Sequence, residues 1–160
     1  MRDGWQSPGA RHPGQTLLET IGKEDGVGEE KATVLLVERS ATARDRIGSW
    51  LEEAGYEVLD CPGPTSPEYR CVAGRGRGCP LVHGADAVVL DLWLDSDAAL
   101  EGTSAVDLMG YYLGHGLPVV ALTHREEPVH LFSGDNLTTV PWPPDRREIV
   151  ETVRELLRAG

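Results

Sequence analysis

The stretch TVLLVERSATARDRIGSWLEEAGYEVLD, residues 33–60, decides the fold. It opens with an apolar run of strand length that ends in charge at Glu38 and Arg39, continues through an amphipathic segment, and closes on Gly55 and a second short apolar run. That order of periods describes one complete β-α-β unit. The helix it predicts, 42–54, follows Ser40, whose hydroxyl suits an N-cap, and sets Ala43, Ile47, Trp50, Leu51 and Ala54 along one side. Gly55 suits the position just past a helix C-terminus, where the backbone often turns left-handed.

Working outward, AVVLDLWL at 87–94 is a second buried-strand run, and it carries a carboxylate, Asp91. The whole pattern predicts strands at 33–38, 56–60, 87–92, 118–123 and 137–140, with helices at 42–54, 103–114 and 144–158. The last helix starts from Pro143, Pro144 and Asp145 and buries Ile149, Val150, Val153, Leu156 and Leu157. Alternating strands and helices of this kind give an α/β fold with a parallel sheet covered on both faces. Ligands and chemistry gather at the carboxyl ends of strands in such sheets, which points to Glu38, Arg39 and Asp91.

Length and charge set the outer bounds. A chain of 160 residues at 40% hydrophobic suits one domain with a real core and some tail. A net charge of −11 and a pI near 4.8 argue against a nucleic-acid partner and against acidic membrane surfaces, because both depend on Lys and Arg. The longest apolar runs fall short of the roughly 18 residues of a membrane span, and the N-terminus lacks a signal-peptide apolar core, so a cytoplasmic location is expected. Residues 1–31 are rich in Gly, Pro and charge, with only TLLETIG at 16–22 of helical type; they read as a flexible leader to a domain spanning 32–160.

From about 32 to 158 the chain resembles a response-regulator receiver domain, the flavodoxin-like three-layer α/β/α sandwich with a five-stranded parallel sheet. The likeness is carried by VLLVERSATARDRIGSWLEEAGYEVLDC for the first strand, helix and second strand, by AVVLDL for the third strand, and by PVVALT for the fourth. It implies a signalling role with a protein partner, a histidine kinase or another signalling protein. It also implies that Asp91 is the phosphoacceptor, working with Mg²⁺, and that Thr123 senses the phosphoryl group. Two positions depart from the family. The acid pair after strand one reads Glu38 then Arg39, which weakens a hard-oxygen Mg²⁺ site. The Lys after strand five is absent: the segment reads Thr139, Val140, Pro141, Trp142, and Lys31 is the last Lys in the chain. Two readings stay open, one in which Arg39 pairs with Asp91 or an anion in a metal-poor site, and one in which the charges form a plain ion pair in a pseudo-receiver.

The second and fourth helices of the family are expected to be replaced or shortened. Residues 61–86 hold four Pro and five Gly, which favour an irregular excursion over a helix. That loop holds all three cysteines, and Cys61, Cys71, Cys79 and His83 could supply a Cys₃His zinc site, with free buried thiols or a redox role as the other readings. Arg70, Arg75 and Arg77 in the same loop are a candidate anion cradle or a solvated basic run. His124–Asn136 leaves room for little more than a turn, and Trp142 stands at that rim as a lid over the core or a partner contact.

A weaker resemblance, carried by ADAVVLDLWLDSD and GTSAVDLMGYYLGHGLPVVAL, is to nucleoside deoxyribosyltransferase-like enzymes. It implies a carboxylate nucleophile near Asp107, one residue out of the usual spacing, which turns a helical side chain by about 100°. An acid in the first turn of a helix is the plain alternative. The sequence sets no oligomeric state.

Overall fold

Five-residue runs such as AVVLD and TVLLV have no polar face, so they are stable only where both sides of the strand are covered. A computed structural model, which describes residues 30–64, 71, 73, 78–95, 105–124 and 134–160, puts them at the centre of one parallel sheet. Its strands are β1 (Thr33–Val37), β2 (Glu57–Cys61), β3 (Ala87–Asp91), β4 (Val119–Thr123) and β5 (Leu137–Pro141), in the order β2-β1-β3-β4-β5. The helices are α1 (Ala41–Glu53), α2 (Ala105–Gly114) and α3 (Arg146–Ala159).

Strand alternation then divides the core. Val34, Leu36, Val89, Val120, Leu122 and Val140 point to one face, where Ile47 and Leu51 of α1 and Ile149, Val153 and Leu156 of α3 cover them. Leu35, Val37, Val88, Leu90, Val119 and Ala121 point to the other, where Leu108, Met109 and Tyr112 of α2 pack. This is the three-layer flavodoxin-like sandwich, and each fully buried Leu or Ile in it contributes roughly 1.5–3 kcal/mol over an exposed one.

Boundaries moved by one or two residues, for reasons visible at the caps. The Ser40 hydroxyl accepts a hydrogen bond from Ala43 N at 3.3 Å, which starts α1 at Ala41. Asp145 is the N-cap of α3 and not part of it: its Oδ1 accepts from Arg147 N at 2.7 Å and from Glu148 N at 3.3 Å, and the helix begins at Arg146. Gly55 follows α1 with φ of +98°, the left-handed turn expected there. β2 runs one residue later than expected, through Cys61, because Glu38 N continues the ladder onto Cys61 O at 3.1 Å.

Between β2 and β3 the described residues contain one longer 3₁₀ turn, Pro80–Gly84, in place of a second α-helix. The leader 1–29, the arginines Arg70, Arg75 and Arg77, and residues 125–133 of the β4–β5 connection lie outside the described residues. Among the described residues no helix is long and apolar enough to cross a membrane.

Candidate functional site at the carboxyl edge of the sheet

Because all five strands run parallel, their carboxyl ends lie along one edge. The register sets Val37 beside Leu90, Asp91 beside Leu122, and Thr123 beside Pro141. Glu38, Asp91, Thr123, His124 and Trp142 therefore follow or end neighbouring strands, and the crossover between β1 and β3 puts Glu38 and Asp91 where such folds hold ligands.

Both acids are buried, Glu38 to 2% exposure and Asp91 to 5%, and they are the two buried charged residues of the described core. Glu38 is tied in on several sides. Its Oε1 accepts from Ser40 N at 2.7 Å, and its carbonyl accepts from Arg44 Nη1 at 2.8 Å. Its Oε2 is buried with no hydrogen-bond donor among the described residues. Burial first, and then the Asp91 charge, pushes the Glu38 carboxyl up to about 7, against the smaller opposing effects of the Ser40 amide and of His124. Protonated, Glu38 carries a donor for the Asp91 carboxylate beside it. Proton sharing of this kind is what two close acids in a dry site require.

Asp91 has a second partner. Its Oδ1 accepts from Trp93 N at 3.0 Å and lies 2.8 Å from His124 Nε2. The imidazole contacts two indoles: the Trp93 ring at 4.6 Å between centroids and tilted by 50°, and the Trp142 ring at 5.2 Å and nearly parallel, at 24°. Trp93, on the 3₁₀ turn Trp93–Asp95, is 56% exposed. Trp142 is held in place by its amide, which donates to Thr123 O at 2.8 Å. His124 thus contacts both the Asp91 carboxylate and two indole rings.

The expected site residues divide accordingly. Glu38 and Asp91 meet. Thr123 lies next to His124 at the end of β4, half-buried, with its hydroxyl donating to Val140 O at 3.5 Å. Arg39 is exposed, and His124 Nε2 lies on Asp91 Oδ1. Sequence reasoning passed over His124 and Trp93. The signal for His124 was available: it follows the last residue of β4 directly, the same position relative to β4 that Glu38 has relative to β1.

No group of three or more His, Cys, Asp or Glu among the described residues is arranged to hold a metal ion. Of the Cys61, Cys71, Cys79 and His83 set, Cys61 and Cys79 are buried in the apolar core and Cys71 packs against it. For Mg²⁺ the oxygens of the site are in part already engaged. The second acid is Arg39, Asp91 Oδ1 is taken by His124 and Trp93, and Glu38 Oε1 by Ser40. Asp107 is exposed on the first turn of α2, where the helix dipole favours an acid, and the groups acting on Glu38 are Asp91, Ser40 and His124.

Comparison with solved structures supports the fold. A response-regulator receiver protein from Sinorhizobium medicae superposes with a TM-score of 0.63 over 81% of this chain and 97% of that one, at 16% identity. The receiver domain of the hybrid histidine kinase CckA does so with a TM-score of 0.53 over 79% and 99%, at 22% identity. The chain has the fold of receiver domains. No protein-family model matches it. A curated "Probable transcriptional regulatory protein" of Picosynechococcus sp. is 30% identical over 139 residues, which is 80% of this chain and 50% of that protein. The chain thus spans about half the length of the curated relative it matches.

Proposed function

We propose that the chain is an atypical receiver-type signalling module, a pseudo-receiver, in which the acceptor position Asp91 is structural and a protein partner reads the edge around it. The observation that carries this reading is the 2.8 Å contact of His124 Nε2 with Asp91 Oδ1 under the Trp93 and Trp142 rings. In-line attack on a phosphoryl donor needs a carboxylate oxygen open to solvent and cations to neutralise the developing charge. Here Asp91 Oδ1 has two hydrogen-bond partners, Asp91 is 5% exposed, and the Lys that follows β5 in receivers is Trp142. The partner class follows from the fold and from charge: a signalling protein such as a histidine kinase suits an acidic chain of −11 better than nucleic acid does.

The test is intact-mass spectrometry after incubation with acetyl phosphate and Mg²⁺, beside an Asp91→Asn control. No adduct is expected under conditions that label an ordinary receiver. One added phosphoryl group that the control lacks would overturn the reading and make Asp91 a working acceptor.

A further inference from the structure

The carboxyl-edge site leaves one cavity unused, an open groove of about 540 Å³ between α1 and α3. Its lining sets half-buried Trp50, Ala54 and Val150 beside exposed Arg146, Arg147 and Arg154. Arg46 extends the cationic side, with its guanidinium 5.4 Å from the centre of the Trp50 ring. Arg146 is paired with Glu53 at 2.7 Å and Arg147 with Glu151 at 2.9 Å, while Arg154 has no ion pair among the described residues. Acids outnumber Lys and Arg by 26 to 15 in the whole chain, so arginines gathered around one apolar trough are a local reversal of sign. Such a surface suits an acidic segment that also carries a few apolar side chains.

The occupant follows from where the chain enters the sheet. Ala32 O, just before β1, accepts a hydrogen bond from Glu57 N at 3.0 Å, and Glu57 stands three residues after Ala54 of the groove wall. The residues preceding β1 therefore join the sheet beside the Ala54 end of the groove. Among them, 16–30 read TLLETIGKEDGVGEE, with five acids, one lysine and the apolar Leu17, Leu18 and Ile21. Extended chain covers up to ~3.6 Å per residue, so the steps from Glu30 back to Lys23 span up to ~25 Å, enough to pass Ala54 and reach Trp50 one helical turn further on. Exposed ion pairs are individually weak. A tethered segment needs no more than that, because its attachment gives it an effective concentration on the order of millimolar, whereas a free partner must supply the affinity itself.

We propose that residues 16–30 of this chain dock in the α1–α3 groove, with Leu17, Leu18 and Ile21 against Trp50, Ala54 and Val150, and the acids against Arg46, Arg146, Arg147 and Arg154. The docked segment closes that face of the module to other proteins.

Cross-linking of the full chain with a water-soluble carbodiimide, which joins an amine directly to a carboxylate, reads the position. The chain has two lysines, Lys23 and Lys31, so the products are few. The expected product joins Lys23 to Glu53 or Glu151, the carboxylates that border the groove, within one chain. In a mixture of isotope-labelled and unlabelled chains it should carry one label state throughout. Its yield should fall about five-fold in added salt, which screens exposed pairs, and about as far in Arg147→Glu with Arg154→Glu. Glu24→Gln with Asp25→Asn should lower it in the same direction, and these changes lie outside the sheet and its helices. Three results would overturn the proposal: Lys23 joined evenly to acids elsewhere, such as Glu57, Asp60 and Glu148, or to none; mixed-label products, which place the segment on a second copy; or a groove product whose yield both pairs of substitutions leave unchanged. The outcome is independent of whether Asp91 accepts a phosphoryl group.

Discussion

The face of the sheet under α1 and α3 and the face under α2 bury the same kind of strand residue, yet they are covered in different ways. On the first, Ile47, Leu51, Ile149, Val153 and Leu156 come from two regular helices. On the second, α2 covers only part, and Ala73, Cys79 and Val82 of the irregular segment complete it. A strand that buries both sides demands apolar cover, and it does not demand that the cover be a helix. Among the described residues this cover is tied by contacts such as Cys79 N to Tyr111 Oη and Gly63 N to Cys61 Sγ.

That difference should appear first in stability. Ile47→Ala empties a site fixed between a helix and the sheet, and a loss of about 2–5 kcal/mol is expected because such a site relaxes little. Val82→Ala, on the 3₁₀ turn of the other face, should lose about 1 kcal/mol, as a short turn can settle into the space. Urea denaturation of both variants measures the contrast. Equal losses would mean that the irregular segment is as rigid as the helices.

The carboxyl edge joins the two faces, and its chemistry makes a pH prediction. The native fold favours protonated Glu38, with its carboxyl raised from 4.5 to about 7, chiefly by burial. The unfolded chain has no such preference, so this contribution is complete below about pH 4.5 and is lost as pH rises through about 7. A shift of that size corresponds to roughly 3 kcal/mol at the upper end. Glu38→Gln keeps a hydrogen-bond donor for Asp91 and removes the titration. Its melting temperature should therefore change less between pH 5 and pH 8 than that of the native chain. Parallel profiles for the two proteins would show that Glu38 is not the group responsible.

The helix-covered face was legible from sequence because its information is periodic. Ile47 and Leu51, or Ile149, Val153 and Leu156, recur at helical spacing, and Ser40 and Asp145 mark the starts. The edge was half legible. Glu38 and Asp91 follow from the rule that parallel strands carry function at their carboxyl ends, but the partner of Asp91 is set by the register that brings β4 beside β3. Arg39 drew attention as the nearest cation in sequence, whereas the His124 contact comes from 33 residues away. For the cysteines composition says less: Cys and His in one loop suggest a metal, while the burial of Cys61 and Cys79 depends on which apolar neighbours the sheet presents.

Two smaller effects probe single points on each face. Gly63 has φ of +69°, in the left-handed region, and faces Leu94, so Gly63→Ala combines backbone strain with a close contact. A loss of about 1–2 kcal/mol is expected, with a shift in Trp fluorescence because Leu94 adjoins Trp93. No loss would show that the turn has a right-handed alternative. Asp145→Ala, on the helix-covered side, removes two hydrogen bonds from the first turn of α3 and should lose about 1 kcal/mol, recovered in Asp145→Asn, which keeps a capping oxygen. If Asn failed to recover it, the carboxylate would be acting through its charge on the helix dipole, and added salt would then narrow the gap between the two variants.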